Sequence, residues 1–480
     1  MFKRLRGPKL ILDFAILSGG QLLSKIAGFV AFAYLARVMG PKSYGSVEYG
    51  MGLAVFFSMV IDFGLGPVGV RELATEEEPV DELTANITVA RLALVAICIP
   101  IMLLAAMLSH PSDEARTLVW LYALSLLACP WKLEWLFQAR DMMNAAAAGQ
   151  LIRMGLFAAG VLLIVKVGTP VYYAGWLEVG AAALTSLYYL AMQHFFITRV
   201  SLSKVSLQVL KRLVKEGIGV GGGQMVSAVN IYAPLLLVAT LIGGDETGWF
   251  GAAHRVVASL STFSMLYHFN IYPVIARRLA AGGDSVDEVI VASLRVVSWV
   301  SIGGALALTL LGTQLMVLAY GPKFAGAGLS FKLLVWFLPL TLLSGHARWF
   351  MIAAKRQHFV FVAQVGGAVA SVAAGIPLVK FLGPEGAAAT MVVGAAAVWV
   401  VAQYCAVTRV RKIAGVSLSL LPAGLALLAG FVAWKVPGNR WLVTAGITVT
   451  YFALAPLLDR NLLRDLGNLA RAKSDLRKAA

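Results

Sequence analysis

About fourteen runs of roughly 18–25 mostly apolar residues occupy most of this 480-residue chain, and they leave it little choice of architecture. Their centres lie near Ala27, Phe56, Ala96, Leu127, Phe157, Ala182, Tyr232, Ser261, Val300, Leu340, Ala370, Val393, Leu427 and Thr450. In hydrocarbon a lone strand leaves its backbone N–H and C=O groups unpaired, so each run is read as a spanning helix. With 59% hydrophobic and 13% charged residues, the chain cannot be built around a water-soluble core. The expected fold is therefore all-α and integral to a membrane.

The chain is also written twice. Gly19-Gly20-Gln21, Ser24, Ala36, Gly40 and Gly45 recur as Gly222-Gly223-Gln224, Ser227, Ala239, Gly243 and Gly248, at an offset of about 203 residues. Pro67-Val68, Arg71, Leu73 and Ala74 recur as Pro273-Val274, Arg277, Leu279 and Ala280. Repeated apolar halves are the mark of transporters whose halves move about a site near their interface. The expected organisation is an N-terminal six-helix lobe over residues 1–200, a pseudo-symmetric C-terminal lobe over 201–415, and two added helices with a basic tail over 416–480.

Lys and Arg outside the spans set the orientation. Arg71, Arg140, Arg199, Lys204, Lys211, Arg212, Lys215, Arg277, Arg278, Lys355, Arg356, Arg409 and Arg411 share one side with both chain ends. The positive-inside rule makes that side, and both termini, cytoplasmic. The net charge of +16 is then a topology and anionic-lipid signal that requires no nucleic acid. The basic start before an apolar stretch resembles a signal peptide, but the stretch runs too long and is reused as the copy around Gln224. Cys98, Cys129 and Cys405 lie in apolar segments without metal spacing, so neither a disulfide framework nor a metal site is expected. Gly217, Gly219 and Gly221-Gly222-Gly223 open an apolar helix with no preceding strand, which favours close helix packing over a phosphate loop.

Leu35-Ala36-Arg37-Val38-Met39-Gly40-Pro41 with Tyr44-Gly45, then Asp62-Phe63-Gly64-Leu65 and Val70-Arg71-Glu72-Leu73-Ala74, resembles the opening of the polysaccharide-biosynthesis or O-antigen flippases. Gly248-Trp249-Phe250, Ala252-Ala253 and Arg255 resemble that family's second-lobe opening, with Phe250 where Tyr is more usual. The resemblance implies the multidrug-exporter-like fold of the multidrug/oligosaccharidyl-lipid/polysaccharide exporter superfamily. It further implies movement of a polyprenyl-pyrophosphate-linked oligosaccharide, an O-antigen or exopolysaccharide repeat unit, from the inner to the outer leaflet of the cytoplasmic (inner) membrane by alternating access. The partners implied are the lipid-linked cargo, membrane lipids, other polysaccharide assembly proteins and a coupling cation, H+ or Na+. No cofactor is implied.

Charges inside the spans suit such a cargo. A cation at the bilayer centre costs about 2.5–3.5 kcal/mol on insertion scales, so those that persist usually face a watery cavity. Lys25, Arg91, Arg153, Arg255, Arg295 and Arg348 are the candidate headgroup-binding cations, with Lys132 and Lys332 as weaker ones. Guanidinium forks match pyrophosphate oxygens. Against this stands snorkelling of long side chains to the interface, above all for Arg153 and Arg348 near span ends. Asp62, Glu178 and His268 are the candidates for ion coupling, with simple salt bridging as the alternative for the two carboxylates. Tyr172-Tyr173, Trp176, Tyr188-Tyr189 and Trp299 could stack on sugars, although aromatic belts and packing account for them more simply.

Three rival functions are open. A peptidoglycan-precursor flippase would also want a basic cavity. A drug exporter of the same superfamily should instead be acidic and aromatic inside. A membrane glycan polymerase or ligase needs large extramembrane loops with acid-base or metal chemistry. The outward loops here are short, and neither His-Glu-x-x-His nor Asp-x-Asp occurs. The sequence therefore points to a non-enzyme carrier with no catalytic residues.

Overall fold

The structure, a computed structural model, describes residues 7–75, 79–109, 112–199, 204–280, 285–411 and 416–469. Every regular element among these is a helix: α1 (Gly7–Asp62), α2 (Leu65–Thr75), α3 (Val80–Leu108), α4 (Asp113–Ser125), α5 (Glu134–Ala139), α6 (Met143–Ile164), α7 (Tyr172–Phe196), α8 (Leu207–Leu241), α9 (Gly244–Ala280), α10 (Ser285–Leu310), α11 (Gly312–Tyr320), α12 (Ala327–Leu334), α13 (Phe337–Ala353), α14 (Gln357–Arg409), α15 (Ser417–Lys435) and α16 (Arg440–Leu458).

All fourteen expected span centres lie in helical segments, because α1 and α14 each hold two spans joined by a kink. The kinks fall at Gly40 (φ 79°) and Gly383 (φ 58°), where only glycine is at ease, and Pro41 and Pro384 follow in the first turn of the next helix. Another Gly-Pro pair, Gly321-Pro322, ends α11 at Gly321 (φ 96°). Nine helical stretches among the described residues are long and apolar enough to cross a membrane, the stretches holding α1 and α14 among them. The fourth expected span is interrupted: α4 tightens into a 3-10 turn over Leu126–Trp131, which contains Pro130, and the chain resumes as α5.

The chain forms two compact units, Met1–Gly251 and Ala252–Ala480. In the first, α6 lies along α1 because the Ala145-Ala146-Ala147 run lets the backbones approach; a Cβ on Gly20 would come within 2.9 Å of the Ala147 methyl. Its core joins Leu65 and Val68, Leu83 and Ile87, Leu133 and Trp135–Phe137, Tyr189 and Leu213. In the second unit one core links α9, α10, α13 and α14, and another packs Trp299, Ile302 and Leu306 of α10 against Ala426, Tyr451 and Ala455 of α15 and α16. Many large side chains, such as Leu163, Phe195, Phe381 and Leu427, are exposed. Lipid tails solvate such a surface without penalty.

Helix α8 opens the second copy yet packs on α1, α2 and α3 within the first unit. The start of α9 meets α1 in a symmetric way. A Cβ on Gly45 would reach Gly248 N at 2.8 Å and the Gly244 carbonyl at 3.1 Å, and a Cβ on Gly248 would strike the Pro41 carbonyl. Positions 41 and 45 map onto 244 and 248 at the repeat offset, so each glycine backs onto the carbonyl four residues before its counterpart. No side-chain rotation relieves a clash with backbone. Gly248→Ala is therefore expected to cost about 1–3 kcal/mol, the usual range for overpacking. A lowered thermal midpoint of the purified variant in detergent checks this.

Candidate cationic and ion-coupling sites

The break in the fourth span organises polar groups in the first unit. Lys132 ends the 3-10 turn with a non-helical backbone (φ −76°, ψ 82°), so its carbonyl has no helical N–H to accept. Arg91 of α3, 3% exposed, donates to that carbonyl at 3.0 Å and to Asp62 Oδ1 at 2.5 Å. Asp62 thus neutralises a guanidinium. Arg153 of α6 pairs with Glu178 of α7, which is buried. Glu134, in the first turn of α5, accepts from Gln138 at 2.9 Å and Gln150 at 2.5 Å. Lys132, Arg153, Arg91 and Asp62 all act electrostatically on the Cys129 thiol, so the break gathers three cations around one point. The Lys132 side chain is exposed and makes no ion pair among the described residues. Lys25 is exposed on α1 and Arg255 half-buried on α9.

In the second unit Arg295 of α10 donates to Asp459 Oδ1 at 2.6 Å and to Asp465 Oδ2 at 2.8 Å, and Trp299 donates its indole N–H to Asp459 at 3.2 Å. Trp299 is 1% exposed, which leaves it no face for a sugar. Arg295 and Arg91 occupy corresponding helices of the two copies, but Arg295 fastens the segment after α16. Arg348 makes no ion pair among the described residues; its guanidinium reaches only the Thr341 carbonyl, at 3.5 Å, and its Nε is buried without a partner. His268 lies beside His346 of α13, ring centroids 5.2 Å apart.

The sequence reading missed Asp459, Asp465, Ser293 and His346. The first two follow the last span and were counted with the basic tail. His346 has no repeat counterpart to mark it, and a lone serine such as Ser293 in an apolar run carries no signal at all.

The family described as polysaccharide biosynthesis protein matches residues 10–278, more than half of the chain. The chain belongs to that family. It is a multi-pass membrane transporter. A protein of Escherichia coli (strain K12) described as "Putative O-antigen transporter" is 21% identical over 326 residues, spanning 66% of this chain and 76% of the relative. Among solved structures, lipid II flippase MurJ in an inward closed conformation matches at a TM-score of 0.76 with 14% identity, covering 93% of this chain and 99% of the other. An inward-facing multidrug resistance MATE family transporter of the MOP superfamily matches at 0.59 with 13% identity, covering 86% and 96%. These structures establish the fold of this family member: the all-helical exporter architecture expected from the sequence.

Proposed function

We propose that the protein carries a polyprenyl-pyrophosphate-linked oligosaccharide, an O-antigen or exopolysaccharide repeat unit, from the cytoplasmic to the outer leaflet of the inner membrane. Alternating access moves the headgroup while the polyprenyl tail stays in lipid. The observation that carries this reading is the cation cluster at the broken fourth span. Arg91 and Arg153 are held by Asp62 and Glu178, while the exposed Lys132 makes no ion pair among the described residues. A discontinuous span is where transporters place binding groups, and an unneutralised ammonium in an apolar setting favours an anion. Arg348 offers a second such cation in the other unit. Lys25 in the first unit, and Arg255 and Arg348 in the second, are further proposed headgroup cations, each taken within its own unit; both chain ends face the cytoplasm, and the protein performs no covalent chemistry. The lobes would be residues 1–200 and 201–415, with 416–480 as an addition.

The test is surface glycan and lipid-linked repeat units in a deletion strain carrying wild type, Lys132→Glu or Arg255→Ala. Lys132→Glu should cut export at least about tenfold, as expected when an ionic contact of about 1.4 kcal/mol or more is reversed, with the protein still inserted. Accumulated repeat units relieved by wild type alone support the reading. Accumulated peptidoglycan precursor, or altered drug sensitivity with normal glycan, overturns it.

A further inference from the structure

The second unit holds a polar cluster unrelated to the cations of the first. His346 Nδ1 donates to the Leu342 carbonyl at 3.0 Å, since a carbonyl can only accept. Its Nε2 is then the lone-pair nitrogen, facing Ser293 Oγ of α10 at 2.7 Å. Ser293 in turn bonds Tyr267 of α9, whose hydroxyl also lies 3.4 Å from the same imidazole nitrogen. His268 Nδ1 likewise donates to its own helix, at the Ser264 carbonyl, 2.7 Å away. Its Nε2 is buried without a partner and abuts Gly345, where a Cβ would have no room. His268 is 2% exposed and His346 1%.

We infer that His268 and His346, with Ser293 and Tyr267, form a binding site for a single proton, and that this proton is the coupling ion of the transport cycle. The coupling role rests on the flippase reading; the proton site does not. The chemistry selects a proton over a metal cation: both Nδ1 atoms carry hydrogen, and the one unused lone pair faces the Gly345 backbone. A proton arriving at His346 Nε2 is accommodated by turning two hydroxyls. The imidazolium N–H donates to Ser293 Oγ, and the Ser293 hydroxyl then donates to Tyr267. His268 has no such acceptor, so in this conformation it stays neutral.

Facing the pair are Tyr267 from α9, Ser293 from α10 and Arg348 from α13, and α14 adds Cys405 to the surrounding core. Arg348 acts electrostatically on His268 and His268 on His346, and among the described residues no carboxylate acts on either ring. With one guanidinium already beside two rings 5.2 Å apart, a second proton is excluded. The two rings lie on α9 and α13, so a change in the spacing of these helices changes how well the proton is held.

The chain has six histidines, few enough for 15N-histidine NMR of the protein in liposomes. At about pH 8 the two buried rings should both show the neutral Nδ1–H tautomer, and as the pH is lowered a single proton should add to the pair, at the His346 ring. Ser293→Ala keeps both rings but removes the acceptor, and should move that titration to lower pH. In vesicles, His346→Gln should lose the stimulation of flipping by an imposed proton gradient. Rings that both stay neutral down to the lowest pH at which the protein remains folded, two that protonate independently, or undiminished gradient stimulation in His346→Gln would each overturn the inference. The NMR arm needs no cargo, so a normal titration in a protein that moves no oligosaccharide supports the proton site and overturns the flippase reading.

Discussion

Replacing Arg295 by alanine should destabilise the second unit by about 3–5 kcal/mol, the range for breaking one side of a buried ion pair. Arg295 is 14% exposed and its partners Asp459 and Asp465 are 11% and 8% exposed, so the substitution strands two carboxylates with little water. Among the described residues it also leaves the Asp459 carboxylate only the Trp299 indole, at 3.2 Å. The expected result is a large drop in thermal midpoint in detergent and a lower protein level in cells. Adding Asp459→Asn and Asp465→Asn should recover much of the loss, since neutral amides need no counter-charge. If Arg295→Ala instead folds with unchanged stability and fails only in export, Arg295 belongs with the headgroup cations.

A comparable loss, about 3–5 kcal/mol, is expected for Asp62→Ala in the first unit. The guanidinium it leaves behind is 3% exposed and, among the described residues, keeps only the Lys132 carbonyl. Arg91→Met combined with Asp62→Leu should be far more stable than Asp62→Ala, because an apolar pair carries no stranded charge. Thermal midpoints of the three variants decide it. An Asp62→Ala protein of wild-type stability that no longer exports would return Asp62 to ion coupling and remove it from the scaffold.

The spans were legible because hydropathy over some twenty residues is a local property, and a helix in lipid needs no distant partner to satisfy its backbone. The Gly-Pro breaks within α1 and α14 are equally local, a left-handed glycine followed by a proline. The charges were visible as residues and their partners were not. Asp62 lies 29 residues from Arg91 and Glu178 lies 25 from Arg153, while Asp459 and Asp465 stand 164 and 170 residues beyond Arg295. No spacing rule reaches across such loops. Arg91 and Arg295 sit on corresponding helices of the two copies, yet one cation closes a helix break and the other clamps the segment after α16, helical over 461–469. A repeat preserves the position of a side chain, and its surroundings assign the task.

Where α1 meets α9, the contact has the logic of an isologous interface, in which each partner offers the other the same patch. Gly45 and Gly248 are consequently one structural constraint entered twice in the sequence. A larger residue at either copy disturbs the same few atoms, so the second substitution should cost less than the first, and the two sites should drift together or not at all.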